Sequence, residues 1–182
     1  MTVYLGRMKG TRRPVTRQPL VVVARAWCAA FVGIFLVSVP TLYLDLPASA
    51  RLFLIGSFGA TAVLLYAAPR SDLAQPRNLI GGHLLSAFIG VSAYKLFDQH
   101  LELAAALAVA TSIAVMQLTL TLHPPGGATA LIAVLGPEKI HDLGYRYLLT
   151  PVLVGVLIML VVALLANNLS SAEHHHYPVT WR

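Results

Sequence analysis

His123-Pro124-Pro125-Gly126-Gly127-Ala128-Thr129-Ala130 stops one long apolar run and starts a shorter one with no polar loop between them. Two consecutive prolines remove two backbone donors and fix φ, and the residue before a proline is pushed out of the α region. A helix arriving through Leu118 to Leu122 is therefore predicted to stop near His123. Proline suits the first turn of a helix, so a new helix is predicted over Ala128 to Leu135, closed by Gly136-Pro137. Roughly ten residues cover about 16 Å, half of a ~30 Å hydrocarbon core. The element reads as a half-helix whose N-terminus lies deep in a membrane. Such an end carries partial positive charge and free N–H groups, which suits an anion.

The rest of the chain supports that reading. Of its residues 57% are hydrophobic and 11% charged, and several runs are long enough to cross a bilayer. The fold class is all-α, a polytopic membrane helical bundle. Arg7, Lys9, Arg12, Arg13, Arg17 and Arg25 crowd the start of the chain with no acid among them, and beyond them acids and bases balance. The net charge of +6 therefore belongs to the N-terminal tail. This predicts a cytoplasmic N-terminus attracted to anionic lipid and argues against nucleic-acid binding. Cys28 stands alone, so no disulfide forms within the chain. Ala48-Ser49-Ala50 resembles a signal-peptidase site, but the apolar run before it, Ala26 to Leu44, is too long for a signal core. No Ser-rich transit segment precedes it, so a bacterial inner membrane is the expected location.

Residues 1–19 read as a basic cytoplasmic tail, 20–166 as the transmembrane domain and 167–182 as a polar C-terminal tail. Six apolar segments fall within the domain: 20–44, 52–68, 79–97, 101–122, 126–136 and 147–166. An internal repeat groups them. Gly59-Ala60-Thr61-Ala62 matches Gly127-Ala128-Thr129-Ala130, and Pro69 falls on Pro137 at the same offset of 68 residues. Units of about 20–97 and 101–166 would each hold three segments, and an odd number of crossings inverts the second unit. The expectation is a 3+3 inverted repeat with a broken helix at His123-Pro124-Pro125. Ser57-Phe58-Gly59 then occupies the place of Pro125-Gly126-Gly127, so segment two is expected to be interrupted there as well. Two positive helix ends would face one small volume.

The His123–Ala130 stretch resembles the signature of the HPP family of integral membrane proteins. Ser57-Phe58-Gly59-Ala60-Thr61, Gln75-Pro76-Arg77-Asn78, Gly81-Gly82-His83 and the closing Tyr177-Pro178 are similar to the family's pattern as well. Some plastid and cyanobacterial members are described as nitrite transporters, so the resemblance implies movement of a small inorganic anion. The chain lacks the CBS pair that some bacterial relatives carry and has no plastid targeting segment. The family is usually described with four spanning segments against six elements here, which leaves open whether 126–136 spans or is re-entrant.

The leading expectation is transport of a small inorganic anion, nitrite first, through a midplane site. Its residues are His123, Pro124, Pro125, Gly126, Gly127 and Thr129 on one side and Ser57, Gly59 and Thr61 on the other, with His83 lining the cavity. Arg77 and Asn78 would guard an inner mouth. His123 and His83 are also the groups able to carry a coupled proton, their ordinary pKa lying near neutrality. Their alternative roles are structural: a cap on free carbonyls, a bond to a neighbouring helix. No third ligand at metal spacing accompanies them, so neither metal nor other cofactor is expected. A structural or regulatory membrane subunit without transport activity is the alternative. An intramembrane enzyme ranks below both because it lacks an orienting acid. Lipid is a certain partner, and the many Gly and Ala residues would permit a homo-oligomer.

Overall fold

The computed structural model describes residues 17–42, 56–169 and 176–181. The turn at Asp45-Leu46-Pro47, the Ala48-Ser49-Ala50 stretch, the start of segment two at Leu52 and most of the basic tail lie outside the described residues.

The described residues are helical throughout their membrane part. The helices are α1 (Leu20–Leu42), α3 (Pro76–Phe97), α4 (Leu101–Leu118) and α7 (Leu148–Asn168), each long and apolar enough to cross a bilayer. Two shorter apolar helices, α2 (Gly56–Ala67) and α5 (Pro124–Leu135), stand among them, and a six-residue α6 (Glu138–Leu143) lies between α5 and α7. Four long spans agree with the family's usual number, α5 is half-length, and segment two is described from Gly56 onward. Ser57-Phe58-Gly59 lies inside the first described turn of α2, with no interruption between Gly56 and Ala62.

Each boundary has a local cause. α3 starts with Pro76 in its first turn, and a Ser71-capped turn at Asp72–Ala74 precedes it. α5 opens on Pro124-Pro125 and stops at Gly136-Pro137. α4 ends earlier than the sequence suggests, at Leu118 rather than near His123. Leu120 takes the left-handed conformation (φ 57), Leu120 N–H bonds Gln117 O at 3.2 Å and Thr121 N–H bonds Met116 O at 2.8 Å. That pair of bonds is a Schellman ending, built without the glycine usual at its left-handed position. The proline pair therefore starts α5 but does not end α4. Five residues, 119–123, lie between the two helices.

The core has two parts. Phe58, Leu65, Tyr66, Leu79, Val156, Met159 and Ala163 tie α2 and α3 to α7 and α1. Ala93, Ala104, Ala108, Ala130 and Val134 let α3, α4 and α5 approach closely. Gly82, Ser86 and Gly90, one helical turn apart on α3, form the seam against α5. A Cβ at Gly90 would lie 2.6 Å from Ala130 O, and one at Gly126 would lie 2.8 Å from both Gly82 O and Ser86 Oγ.

These contacts also set directions. α5 runs alongside α3 in the same sense, from Gly126 beside Gly82 to Ala130 beside Gly90, and α6 follows it to the far end. There the His141 ring stacks on Tyr94 at 3.6 Å between centroids, and Lys95 sits over the Tyr145 ring at 5.7 Å. The stretch 119–136 therefore leads from the Pro76 end of α3 to its Phe97 end, so segment five goes through rather than turning back. α2 runs the other way, from His83 at Thr61 down to Pro69 beside the start of α3.

Candidate functional site

About 10 Å into the bundle along α3, counted from Pro76, stands His83. Its Nε2 lies 2.8 Å from Thr61 Oγ1 on α2, and its Nδ1 lies 2.7 Å from Thr129 Oγ1 on α5. His123, at the head of α5, places Nε2 3.2 Å from the same Thr61 Oγ1 and Nδ1 2.7 Å from Leu73 O. The two rings are 4.9 Å apart and tilted by 56°. Thr61, His83, His123 and Thr129 are all 0% exposed. Phe58 covers the His83 ring at 5.7 Å, and the Tyr147 hydroxyl donates to Thr129 O at 3.3 Å.

One arrangement of protons links all four side chains when both rings are neutral, and the Thr61 proton has Ser57 O, 3.1 Å away, as its other acceptor. Leu73 O can only accept, so His123 Nδ1 carries the proton and Nε2 is an acceptor. Thr61 then donates to His123 Nε2, which leaves Thr61 Oγ1 to accept from His83 Nε2–H. His83 Nδ1 in turn accepts from the Thr129 hydroxyl. Every proton in the chain from Thr129 to Leu73 is in use. A proton entering at Thr129 would move each link by one place: the Thr129 proton passes to His83 Nδ1, the His83 Nε2 proton to Thr61 and the Thr61 proton to His123 Nε2, while the entering proton on Thr129 faces Pro125 O at 3.3 Å.

The segment 119–123 is held in place by α3. Arg77 Nη2 donates to Thr119 O at 2.6 Å and Asn78 Nδ2 to Leu122 O at 2.9 Å, satisfying carbonyls that no helix serves. Gly81 and Gly82 make room for Thr121 and His123: a Cβ at Gly82 would fall 2.5 Å from His123 Cβ. Arg77 and Asn78 thereby hold the segment that carries His123, with Arg77 itself exposed.

The glycines divide. Gly126 is packed against α3, whereas a Cβ at Gly127 would meet nothing nearer than Val109 Cγ1 at 3.9 Å, and one at Gly59 nothing within 4 Å. Pro124 is exposed and Pro125 buried. Ser57 is buried, and its carbonyl accepts from Thr61 Oγ1 at 3.1 Å. The proline pair removes the first two amides of α5, and Gly126 N–H bonds His123 O at 2.8 Å. The head of α5 offers its dipole more than free N–H groups, and side chains are the donors of this site.

Sequence reasoning missed several participants. Leu73 acts through its carbonyl, which no residue-type pattern reports. Gln75, buried, donates to Pro69 O and Ser71 O and accepts from Val179 N–H at 2.8 Å, while Tyr177 donates to Ala74 O at 2.8 Å. The C-terminal segment 176–181 thus braces the turn that carries Leu73. Ser112 Oγ is a buried hydroxyl without a partner, one turn from Met116, whose sulfur accepts from Ser86. Among the described residues no three His, Cys, Asp or Glu side chains come together.

A polytopic helical membrane protein with a histidine–threonine centre at the head of a short helix is the class that fold and site define. The chain belongs to the HPP family, whose transmembrane region matches residues 15–178. Two transmembrane proteins of Dictyostelium discoideum are similar, 44% and 40% identical over 98% of this chain. The chain spans 61% and 57% of their lengths, about three-fifths of each. No solved structure matches it.

Proposed function

We propose that this chain moves a small inorganic anion, nitrite in the first place, across its membrane together with a proton. The observation that carries the reading is His83, whose two ring nitrogens bind one threonine from each of the two short helices. α2 runs toward one end of α3 and α5 toward the other, and the positive end of α5 lies at this enclosed layer. The order long, short, long in α1–α3 and again in α4, α5 and α7 supports units related by an inverted repeat. An anion arriving alone meets a network with every proton in use. A proton on the imidazole pair supplies both a donor and a compensating charge, which an apolar interior demands.

The centre is read as non-enzymatic, because hydroxyls and a carbonyl orient both imidazoles where a hydrolase would use a carboxylate. The basic tail supports a cytoplasmic N-terminus, and a bacterial inner membrane is the proposed location. A structural or regulatory subunit without transport is the second reading, favoured by the complete enclosure of the four polar side chains.

The test is nitrite uptake into proteoliposomes at two internal pH values, with formate, nitrate and chloride as competitors. Saturable uptake that is faster at the higher internal pH, where the inward proton gradient is larger, is the expected result. Absence of flux for every small anion would transfer the weight to the subunit reading.

A further inference from the structure

At the other side of α2, a cavity of ≈ 320 Å³ opens between the first turns of α1 and the 67–71 stretch. Gln18, Arg25, Arg70 and Ser71 are its polar lining. Neither guanidinium has an ion-pair partner among the described residues. A second cavity of ≈ 330 Å³ begins at the same Arg25 and continues between α1 and α7, walled by Cys28, Val32 and Leu36 on one side and Val161 and Leu165 on the other. One arginine therefore joins a cationic pocket to an apolar groove. From Arg25 to Leu36 the groove follows α1 for about 16 Å, the depth of one leaflet of a ~30 Å core.

We propose that this pair of cavities is a binding site for one anionic phospholipid. Its phosphate sits between Arg25 and Arg70, with Gln18 and Ser71 as further donors, and one acyl chain occupies the groove. Charge complementarity selects this occupant. A zwitterionic lipid fills the groove equally well but brings its own cation to a pocket that already holds two. The sequence before Arg17 carries Arg7, Lys9, Arg12 and Arg13 without an acid, so it holds no carboxylate to offer the pocket. A second copy of the chain has few acids to offer it. Glu173, shortly after Leu169, is the acid of this chain closest in sequence to the groove lining and is tested as a rival. The site is separate from the His83 centre and stands whether or not the transport reading does.

The experiment measures thermal stability and lipid retention, by native mass spectrometry, of the detergent-purified full chain with added phosphatidylglycerol, phosphatidylcholine or glycerol phosphate. Phosphatidylglycerol is expected to be retained at one equivalent and to raise the melting temperature, phosphatidylcholine and glycerol phosphate to do neither. Arg25→Gln with Arg70→Gln should weaken retention at least tenfold, and Val32→Trp, which fills the groove and leaves both arginines, should do the same. Equal retention of the two lipids, or full retention by the double arginine variant, overturns the proposal. Saturating binding of glycerol phosphate alone overturns it in favour of a simple anion pocket. If Glu173→Gln lowers the melting temperature without lipid as far as Arg70→Gln does, the occupant is the chain's own carboxylate and the proposal fails.

Discussion

Thr61 and Thr129, equivalent positions 68 residues apart in the repeated Gly-Ala-Thr-Ala motif, bind opposite nitrogens of the single ring of His83. Each also reaches the carbonyl four residues before it, Ser57 O at 3.1 Å and Pro125 O at 3.3 Å. The two motifs present the same hydroxyl to the same ring from two helices that run apart.

Thr129→Val keeps the shape of the side chain and leaves His83 Nδ1 buried without a donor. An unsatisfied buried acceptor costs about 1–3 kcal/mol. The variant is expected to melt lower in detergent and to lose at least tenfold in anion uptake. A double cycle with Thr61→Val should show strong coupling, since both act on one imidazole.

Gly126 and Gly127 should behave differently although they are neighbours. Gly126→Ala drives a methyl into Gly82 O and Ser86 Oγ, an overpacking of about 1–3 kcal/mol. Gly127→Ala has open space and is expected to fold and transport like the parent. Melting curves and initial uptake rates of the two variants, measured side by side, check this.

His123→Gln can still donate to Leu73 O and accept from Thr61, but it cannot hold an additional proton. Uptake by this variant is expected to lose its acceleration by external acid while the protein remains folded. A pH-sensitive dye inside the liposomes should report proton influx with the anion in the parent and none in the variant.

Leu120 occupies a left-handed conformation that costs an L-residue about 1–2 kcal/mol. A β-branched side chain is worse there, so Leu120→Val is expected to destabilise by a further ~1 kcal/mol. Leu120→Gly should lie near the parent, the relief of strain being offset by the larger chain entropy of glycine. Thermal melts of the three proteins decide it.

Tyr177→Phe removes the donor to Ala74 O and with it one brace of the turn that carries Leu73. About 1 kcal/mol of stability should go. Hydrogen exchange at 71–75 should rise while exchange at α4 stays constant.

The proline pair, the two Gly-Ala-Thr-Ala stretches and the two histidines drew attention by residue type, and the structure brings Thr61, Thr129, His83 and His123 together. The four long spans were readable for the same reason, since a membrane demands apolar runs of set length. The end of α4 was not. Its Schellman bonds are made by backbone groups of Met116 and Gln117, and a leucine stands where glycine would have announced the turn. The role of Leu73 was hidden in the same way, by acting through a carbonyl. Gly127 drew notice by adjacency to Gly126, and only the position of α3 separates the crowded glycine from the open one. The tail at 176–181 read as polar and external, yet Tyr177 is 2% exposed, because Gln75 and Asn168 offer its backbone the partners that water would have given.

The shortness of α5 bears on how the chain is put into its membrane. A twelve-residue helix reaches about 18 Å and leaves the backbone around its head in hydrocarbon unless something covers it. Gly82, Ser86 and Gly90 of α3 are that cover, and α3 is synthesised before α5. Chain order therefore predicts that α3 and α4 are made before α5 and are there to receive it. A bulky residue at Gly90 would leave a full-length but misassembled chain, exposed to the cell's membrane proteases before it ever met a substrate.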